Sequence, residues 1–377
     1  MVIILAEKKS ARLDYILHHV FEVMLGHSYV LCDDMEECVD MKRRADGQSD
    51  GKFCVILNYT ATWIPDALFM PPHDLLFESG IRPQNLQVFE NHGEIGCFPI
   101  TDIQSDFSMD IFSACFYFLS RYEEYLPFTP DQHGRFKAED GWAYRMDVLD
   151  KALVDRWVES LKNKLTATCP TLAFKPRIPT FRPTYDIDVA FAYAHKPFVI
   201  QAASLLKSLL KGDWQGMVSR WRVWTGKERD PYDVYDWLSE LHRRYGLHPL
   251  YFVLFAGRST YDRGLSPKNA AFVQWLRKLA SQADVGIHAS YRAAFQDETH
   301  VGKEVAHLKK AIGKEVSANR SHYLRLRFPD TYRHLQQVGI KDDYSMGYVY
   351  HLGFRAGTCT PYAFYDLSKE ETTALTV

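Results

Sequence analysis

The stretch RIPTFRPTYDIDVAFAYAHKP, residues 177–197, decides how the second half of the chain is read. At its centre, Tyr185-Asp186-Ile187-Asp188-Val189-Ala190 sets two carboxylates one residue apart at the close of an apolar run. On an extended strand, side chains at i and i+2 share a face, so Asp186 and Asp188 point the same way. Two carboxylates so placed repel, and one keeps its proton unless something positive lies nearby. Three arrangements relieve the pair: a metal ion, a neighbouring Arg or Lys, or a strand end open enough for water to screen both.

Working outward, the text on either side differs in texture. Upstream, TATCPTLAFKPRIPTFRP (166–183) carries four prolines and no helical period, and reads as a connector with the domain boundary near 172. The expected domains are therefore 1–172 and 173–377. Downstream, strands are expected at 181–189, 249–255, 284–290, 316–326, 340–348 and 353–367. Helices are expected at 196–211, 232–245, 266–282, 302–313 and 328–339. Such alternation predicts α/β architecture, with a parallel sheet or a β/α barrel. The first part reads as a smaller α/β domain. Its strands are expected at 2–6, 28–32 and 53–59, and its helices at 11–26, 109–126 and 153–165, the second of these mostly buried.

The totals narrow the function classes. The 377 residues are 46% hydrophobic and 24% charged, enough apolar material for folded domains. A formal net charge of -2 gives no electrostatic argument for nucleic acid or an anionic membrane surface as partner. Seven cysteines (Cys32, Cys38, Cys54, Cys97, Cys115, Cys169 and Cys359) fall at irregular spacing without a CxxC. That argues against a disulfide framework and for a reducing compartment. The N-terminal apolar run is too short for a signal peptide, and no run reaches membrane-spanning length. The expected location is the cytoplasm.

In a β/α barrel the functional groups gather at the C-terminal ends of strands. Here those ends carry Asp186 and Asp188, His288, Arg320 and His322, Asp342 and Asp343, and Arg355. Each has a plain structural reading as well. The Asp pair can cap a helix or pair with Arg182, and His288 can hydrogen-bond within a loop. His322 can sit in a solvated basic loop, Asp342 and Asp343 can form a turn, and Arg325 and Arg327 read as surface residues. Together, one or two Asp with two His on separate strand ends suit a divalent ion such as zinc. HExxH, GxxxxGK[ST] and GxSxG are absent, as is GxGxxG after a strand.

With these residues assembled, the second half resembles the NodB-type polysaccharide deacetylases. Thr184-Tyr185-Asp186-Ile187-Asp188 resembles their first motif, TFDDGP. GIHAS (286–290) resembles the start of the second, and NRSHYLR (319–325) resembles the Arg motif. DDYSMGY (342–348) and GFRAGTCTPYAFYDL (353–367) look like later barrel strands of a bacterial branch with an extra N-terminal α/β domain. The resemblance implies a distorted (β/α) barrel that holds a divalent metal, zinc by ligand type, and removes acyl groups from N-acylated sugars. It implies Asp186 as base, Asp188 and His288 as metal ligands, and Arg320 as the group that orients Asp186. Asp343 joins the catalytic set.

Three departures shape these expectations. The second motif is usually HxxxH, but the residue four after His288 is Arg292, so His322 is taken as the second His ligand, with His300 and His351 behind it. Ile187 splits the Asp pair. The chain stops at ETTALTV, where family members usually carry a further strand with a catalytic His, which implies a clipped barrel without its general acid. The expected substrate is an N-acylated sugar or polysaccharide precursor, nucleotide- or lipid-linked. The rival readings are a catalytically silent module that binds a glycan or protein in surface-polysaccharide assembly, and a metal phosphoesterase.

Overall fold

Every residue of Val2–Ala6 (β1) is buried, as befits the interior of a parallel sheet. Ser10 accepts the Leu13 N–H and starts α1 (Ala11–Leu17), which continues as a π-helical stretch over His18–Met24. After it come β2 (Tyr29–Cys32), α2 (Met35–Asp46), β3 (Val55–Tyr59) and β4 (Leu68–Phe69). The four strands pair in parallel in the order β2-β1-β3-β4. An antiparallel hairpin, β5 (Val88–Asn91) and β6 (Glu94–Cys97), leads to α3 (Ile111–Leu119), which is buried along its whole length. Asp110 caps α3 by accepting the Ser113 N–H at 3.0 Å, and also takes the Tyr59 hydroxyl at 2.7 Å. The short α4 (Trp142–Arg145) and the amphipathic α5 (Leu153–Thr168) complete this side. The computed structural model describes residues 1–46, 55–91, 94–296 and 298–377. Cys54 and the start of the strand expected at 53–59 lie outside them.

The next segment carries β7 (Thr184–Ile187), α6 (Phe198–Leu210), α7 (Trp214–Trp224), α8 (Tyr235–Tyr245) and β8 (Leu250–Val253). It continues with α9 (Ala270–Gln282), β9 (Asp284–Ala289), α10 (Glu298–Ile312), β10 (Ala318–Ser321), α11 (Asp330–Gln337) and β11 (Asp342–Asp343). β11, β10, β9, β8 and β7 lie side by side in that order, all parallel. Chain order and spatial order therefore coincide, as in successive βαβ crossovers. The chain ends in an antiparallel pair, β12 (Ala363–Asp366) and β13 (Glu371–Thr376).

Two compact units result: Met1–Pro179 together with Met346–Val377, and Thr180–Ser345. The expected division at 172, with everything beyond it in the second domain, differs from this at both ends. In the first unit, Tyr15, Phe116, Trp157, Tyr365 and Leu367 share one apolar core. Buried Arg12 ties α1 to the final hairpin, with Nη2 2.6 Å from Glu370. The segment 353–367, expected to supply later barrel strands, thus belongs to the first unit because its aromatic residues complete that unit's core. The barrel itself is corrected too. β7 ends its row with one strand neighbour among the described residues, and no closed sheet forms. Mixed α/β architecture with parallel sheets is what the chain adopts.

Candidate metal centre

The expected strand-end residues meet in the second unit. Asp188 follows β7 directly, His288 lies on β9, and His322 opens a tight turn after β10 whose Tyr323 and Leu324 have φ of 62° and 49°. Positive φ at two bulky residues is a strained way to turn a chain, and it follows directly on the histidine. Ligand atoms of Asp188, His288 and His322 all lie within 4.8 Å of one another. The His288 Nε2 is 3.2 Å from Asp188 Oδ1, and the His322 Nε2 is 3.5 Å from Asp188 Oδ2. Both imidazoles are buried, while the Asp188 side chain is half-exposed.

The far nitrogens decide what the near ones can do. His288 Nδ1 lies 2.7 Å from the Arg320 carbonyl oxygen, which can only accept, so this nitrogen carries the proton. His322 Nδ1 donates to Asp262 Oδ1 at 2.9 Å. In the neutral form each ring then turns a bare Nε2 lone pair toward a carboxylate. Two acceptors do not face each other at this range unless a proton or a metal cation lies between them. A histidine anchored through Nδ1 to a carbonyl or carboxylate is also the usual arrangement behind a metal ligand. Burial would lower the His322 pKa, but Asp188 and Asp262 outweigh it and raise it to about 9. Burial works against the Asp188 carboxylate as well, and the two imidazoles outweigh it, holding its pKa below the usual range. Without an ion, a proton on His322 relieves the site.

Beside the triad, Arg320 Nη1 donates to Asp186 Oδ1 at 2.9 Å, and Nη2 donates to the Thr184 hydroxyl at 2.9 Å. The guanidinium lies over the Phe252 ring, 4.7 Å from its centre. Strand register explains the grouping. Arg320 pairs with His288 and Asp186 with Phe252. Phe252 in turn pairs with Gly286, two residues before His288. With a side-chain period of two, all of them share one face of the sheet. Gly286 leaves room for this: a Cβ there would come within 2.8 Å of both the Phe252 ring and the Ala318 carbonyl.

Asp262 was not foreseen from sequence. It lies in the loop after β8 and accepts Ser259 Oγ at 2.6 Å, the Tyr291 N–H at 2.9 Å and His322 Nδ1 at 2.9 Å. Two residues on, Gly264 lets this loop approach Asp188, whose carbonyl would be 2.9 Å from a Cβ there. The signal that could have found Asp262 is the one that found the others, an acid after the C-terminal end of a strand. Glu304 of α10 was also missed. It accepts the Ser290 N–H at 2.9 Å, and burial, partly offset by that hydrogen bond, raises its pKa to about 7. Tyr323 meets the His322 ring at 4.7 Å; Tyr261 stacks on Tyr291 at 3.9 Å, and Tyr323 meets both edge-on.

Other expected residues lie elsewhere. Asp343 pairs in register with Asn319, one position off Arg320, so it lies on the opposite face of the sheet. Its two oxygens take hydrogen bonds from Asn319, Tyr332 and Ser345, and the residue is buried. Asp342 starts β11, the end of the sheet away from the triad. Arg325, expected at the surface, is buried between the Tyr291 and Phe295 rings, 3.8 Å from each centre. Arg355 belongs to the first unit, paired with buried Glu124 at 2.5 Å, and His351 lies 2.8 Å from Glu139 in the same unit. His300 lies on α10. A cleft of about 740 Å³ beside Asp236, His242, Asp284 and Lys314 opens at the N-terminal ends of β8 and β9, the wrong end for the triad.

Residues 2–170 match the model of a "Family of unknown function (DUF7033)", a range that falls inside the first unit. No curated protein matches. Among solved structures, "Crystal structure of putative polysaccharide deacetylase from Mycobacterium smegmatis" is 13% identical with a TM-score of 0.28. The match covers 46% of this chain and 56% of that one. At that TM-score the likeness carries no argument about fold or activity.

Proposed function

We propose that the chain is a metal-dependent hydrolase that removes an N-acyl group, acetyl above all, from an amino sugar or polysaccharide precursor. The observation that carries this reading is the Asp188–His288–His322 cluster, in which both imidazoles are fixed through Nδ1 and aim Nε2 at one carboxylate. Two imidazoles and a carboxylate suit zinc, and three protein ligands leave coordination positions open for water and substrate. An ion held there would supply Lewis-acid stabilisation of charge on the acyl oxygen and would acidify water. The chain's own part falls to Asp186. Arg320 occupies its Oδ1 and holds the carboxylate in place, so Oδ2 is the atom that takes the proton from attacking water. Phe252 beneath Arg320 fixes the guanidinium, and Asp262 fixes the His322 ring. The substrate class rests on the resemblance of residues 184–188, 286–290 and 319–325 to deacetylase motifs. It also draws on the exposed ring of Tyr261, a side chain of the kind that stacks on the CH face of a pyranose. We place the protein in the cytosol. The six described cysteines are free, and no described helix is long and apolar enough to cross a membrane.

Elemental analysis with acetate-release assays on N-acetylglucosamine oligomers tests the reading. About one equivalent of zinc is expected, lost in Asp188→Asn. Asp186→Asn should keep the metal and lose ~10²–10⁴ in kcat. Chelation should abolish turnover and added zinc restore it. Full amide hydrolysis by Asp186→Asn, or metal retained in Asp188→Asn, would sink the assignment. A second reading, a silent module that binds a glycan or a partner protein, draws on one observation: a proton on His322 satisfies Asp188 and Asp262 without any ion. Protein that takes up no zinc after incubation would favour it.

A further inference from the structure

The helical hairpin α6–α7 is built inside out. The side chains α6 buries are polar, Gln201 and Ser208, and α7 buries none. Its large apolar residues face solvent instead. Val199, Leu206 and Leu210 follow one another at helical spacing along α6, as do Trp214, Val218 and Trp221 along α7, and all are exposed, Leu210 at 80%. Gly212, with φ of +68°, turns the chain between the helices, and Phe198 meets Trp224 at the hairpin's open end, ring centres 5.8 Å apart. The helices thus pack on each other and present two apolar stripes outward. Exposed patches of this kind mark interaction surfaces.

Charge indicates the occupant. Residues 196–229 hold seven Lys and Arg against two acidic residues, in a chain whose total is -2. Lys207, Lys211 and Arg222 have no ion-pair partner among the described residues. One of the two acids, Asp213, is spent on capping α7, accepting the Gly216 N–H at 2.9 Å. A second copy of the chain would bring like charge against like. An anionic bilayer brings the opposite charge, and tryptophan interleaved with Lys and Arg is the composition that settles at the lipid headgroup boundary. We propose that α6–α7 is a membrane-docking element that lies in the surface of an anionic lipid bilayer. At 13 and 11 residues the helices are too short to cross it. They lie flat, with Leu210, Trp214 and Trp221 among the acyl chains and Lys207, Lys211 and Arg222 at the headgroups. The element is independent of the metal centre and goes beyond the proposed activity.

Flotation of the full chain with phosphatidylcholine–phosphatidylglycerol vesicles at a ~7:3 ratio tests this, with pure phosphatidylcholine as the comparison. The wild type should float with the anionic vesicles and far less with the neutral ones, and high salt should release much of it. Lys207→Glu/Lys211→Glu/Arg222→Glu should lower the bound fraction ~tenfold or more, and Leu210→Ala/Trp214→Ala/Trp221→Ala should do the same. Because these side chains are exposed, the unfolding midpoint should not move in either variant. Asp188→Asn should float like the wild type, which separates this result from the fate of the proposed chemistry. Wild type that stays at the bottom of the gradient overturns the proposal, as do variants that both float unchanged. So does light scattering that shows a dimer dispersed by the apolar variant while vesicles remain unbound.

Discussion

Asp262 shows how a residue can govern a candidate metal centre without offering it a ligand. Its Oδ1 takes the Nδ1–H of His322, so the ring can present only Nε2 to Asp188. Replacing it with Asn keeps an acceptor but removes the charge. Zinc affinity measured by chelator competition should fall ~10–100-fold, the usual effect of losing such a partner, while Asp186→Asn should leave it unchanged. Asp188, His288 and His322 were legible because each follows an apolar run in a repeating place. Asp262 offers the same signal more faintly, since it stands further beyond the end of β8 and its part is played through a histidine 60 positions away. Asp343 misled for a related reason. Its position at a strand end is real, but one step of register puts it on the other face, and only the pairing with Asn319 reveals that.

The strands and most helices of the second unit could be read from alternation, whereas closure of the sheet could not. A barrel and an open sheet share the same βα text, and what separates them is whether anything pairs with the outer side of β7. The hairpin α6–α7 was half legible. Its basic excess stands in the sequence but is cancelled in the chain total by acids elsewhere. That its apolar stripes face outward depends on which neighbours the fold supplies, and a sequence read for buried faces assumes the opposite. Within the sheet, Gly286 is the position with least tolerance. Gly286→Ala should lower stability by ~1–3 kcal/mol, since the new methyl meets a ring and a backbone carbonyl. It should also push Phe252 from beneath Arg320. Urea unfolding measures the first effect, and kcat in the acetate-release assay the second.

At the scale of the whole molecule, buried ionisable groups set the response to pH. His19, in the core of the first unit, is 2% exposed, and burial, the chief cause, lowers its pKa from 6.5 to about 4. The unfolded chain therefore binds the extra proton first as pH falls. Stability from this group is whole above pH 6.5, declines as pH falls from there toward 4, and is gone below. At about 1.4 kcal/mol per pH unit the loss comes to about 3 kcal/mol. Urea midpoints taken between pH 7.5 and pH 4.5 should fall steeply in the wild type and less in His19→Leu. Glu124 adds to the same trend at lower pH. Burial pushes its carboxyl up, Arg355 and Arg121 outweigh that, and the net lowering makes its stabilisation vanish as pH falls through its folded value. A proline-rich connector stands in the sequence near one border between the units, but nothing there marks the return of 346–377 to the first unit. That return depends on Tyr365 and Leu367 finding α1 and α3, and local text does not encode such distant contacts.

The Arg12–Glu370 pair joins residues 358 positions apart. On the ribosome, Arg12 emerges with α1 and waits for its carboxylate until a residue 358 positions further on has been made. Thr180–Ser345 is contiguous and can finish folding in the meantime. That connectivity sets the chain apart from the customary order, in which the N-terminal domain folds first during synthesis. The first unit can begin early, but it cannot close its Arg12–Glu370 contact until all of Thr180–Ser345 has been made.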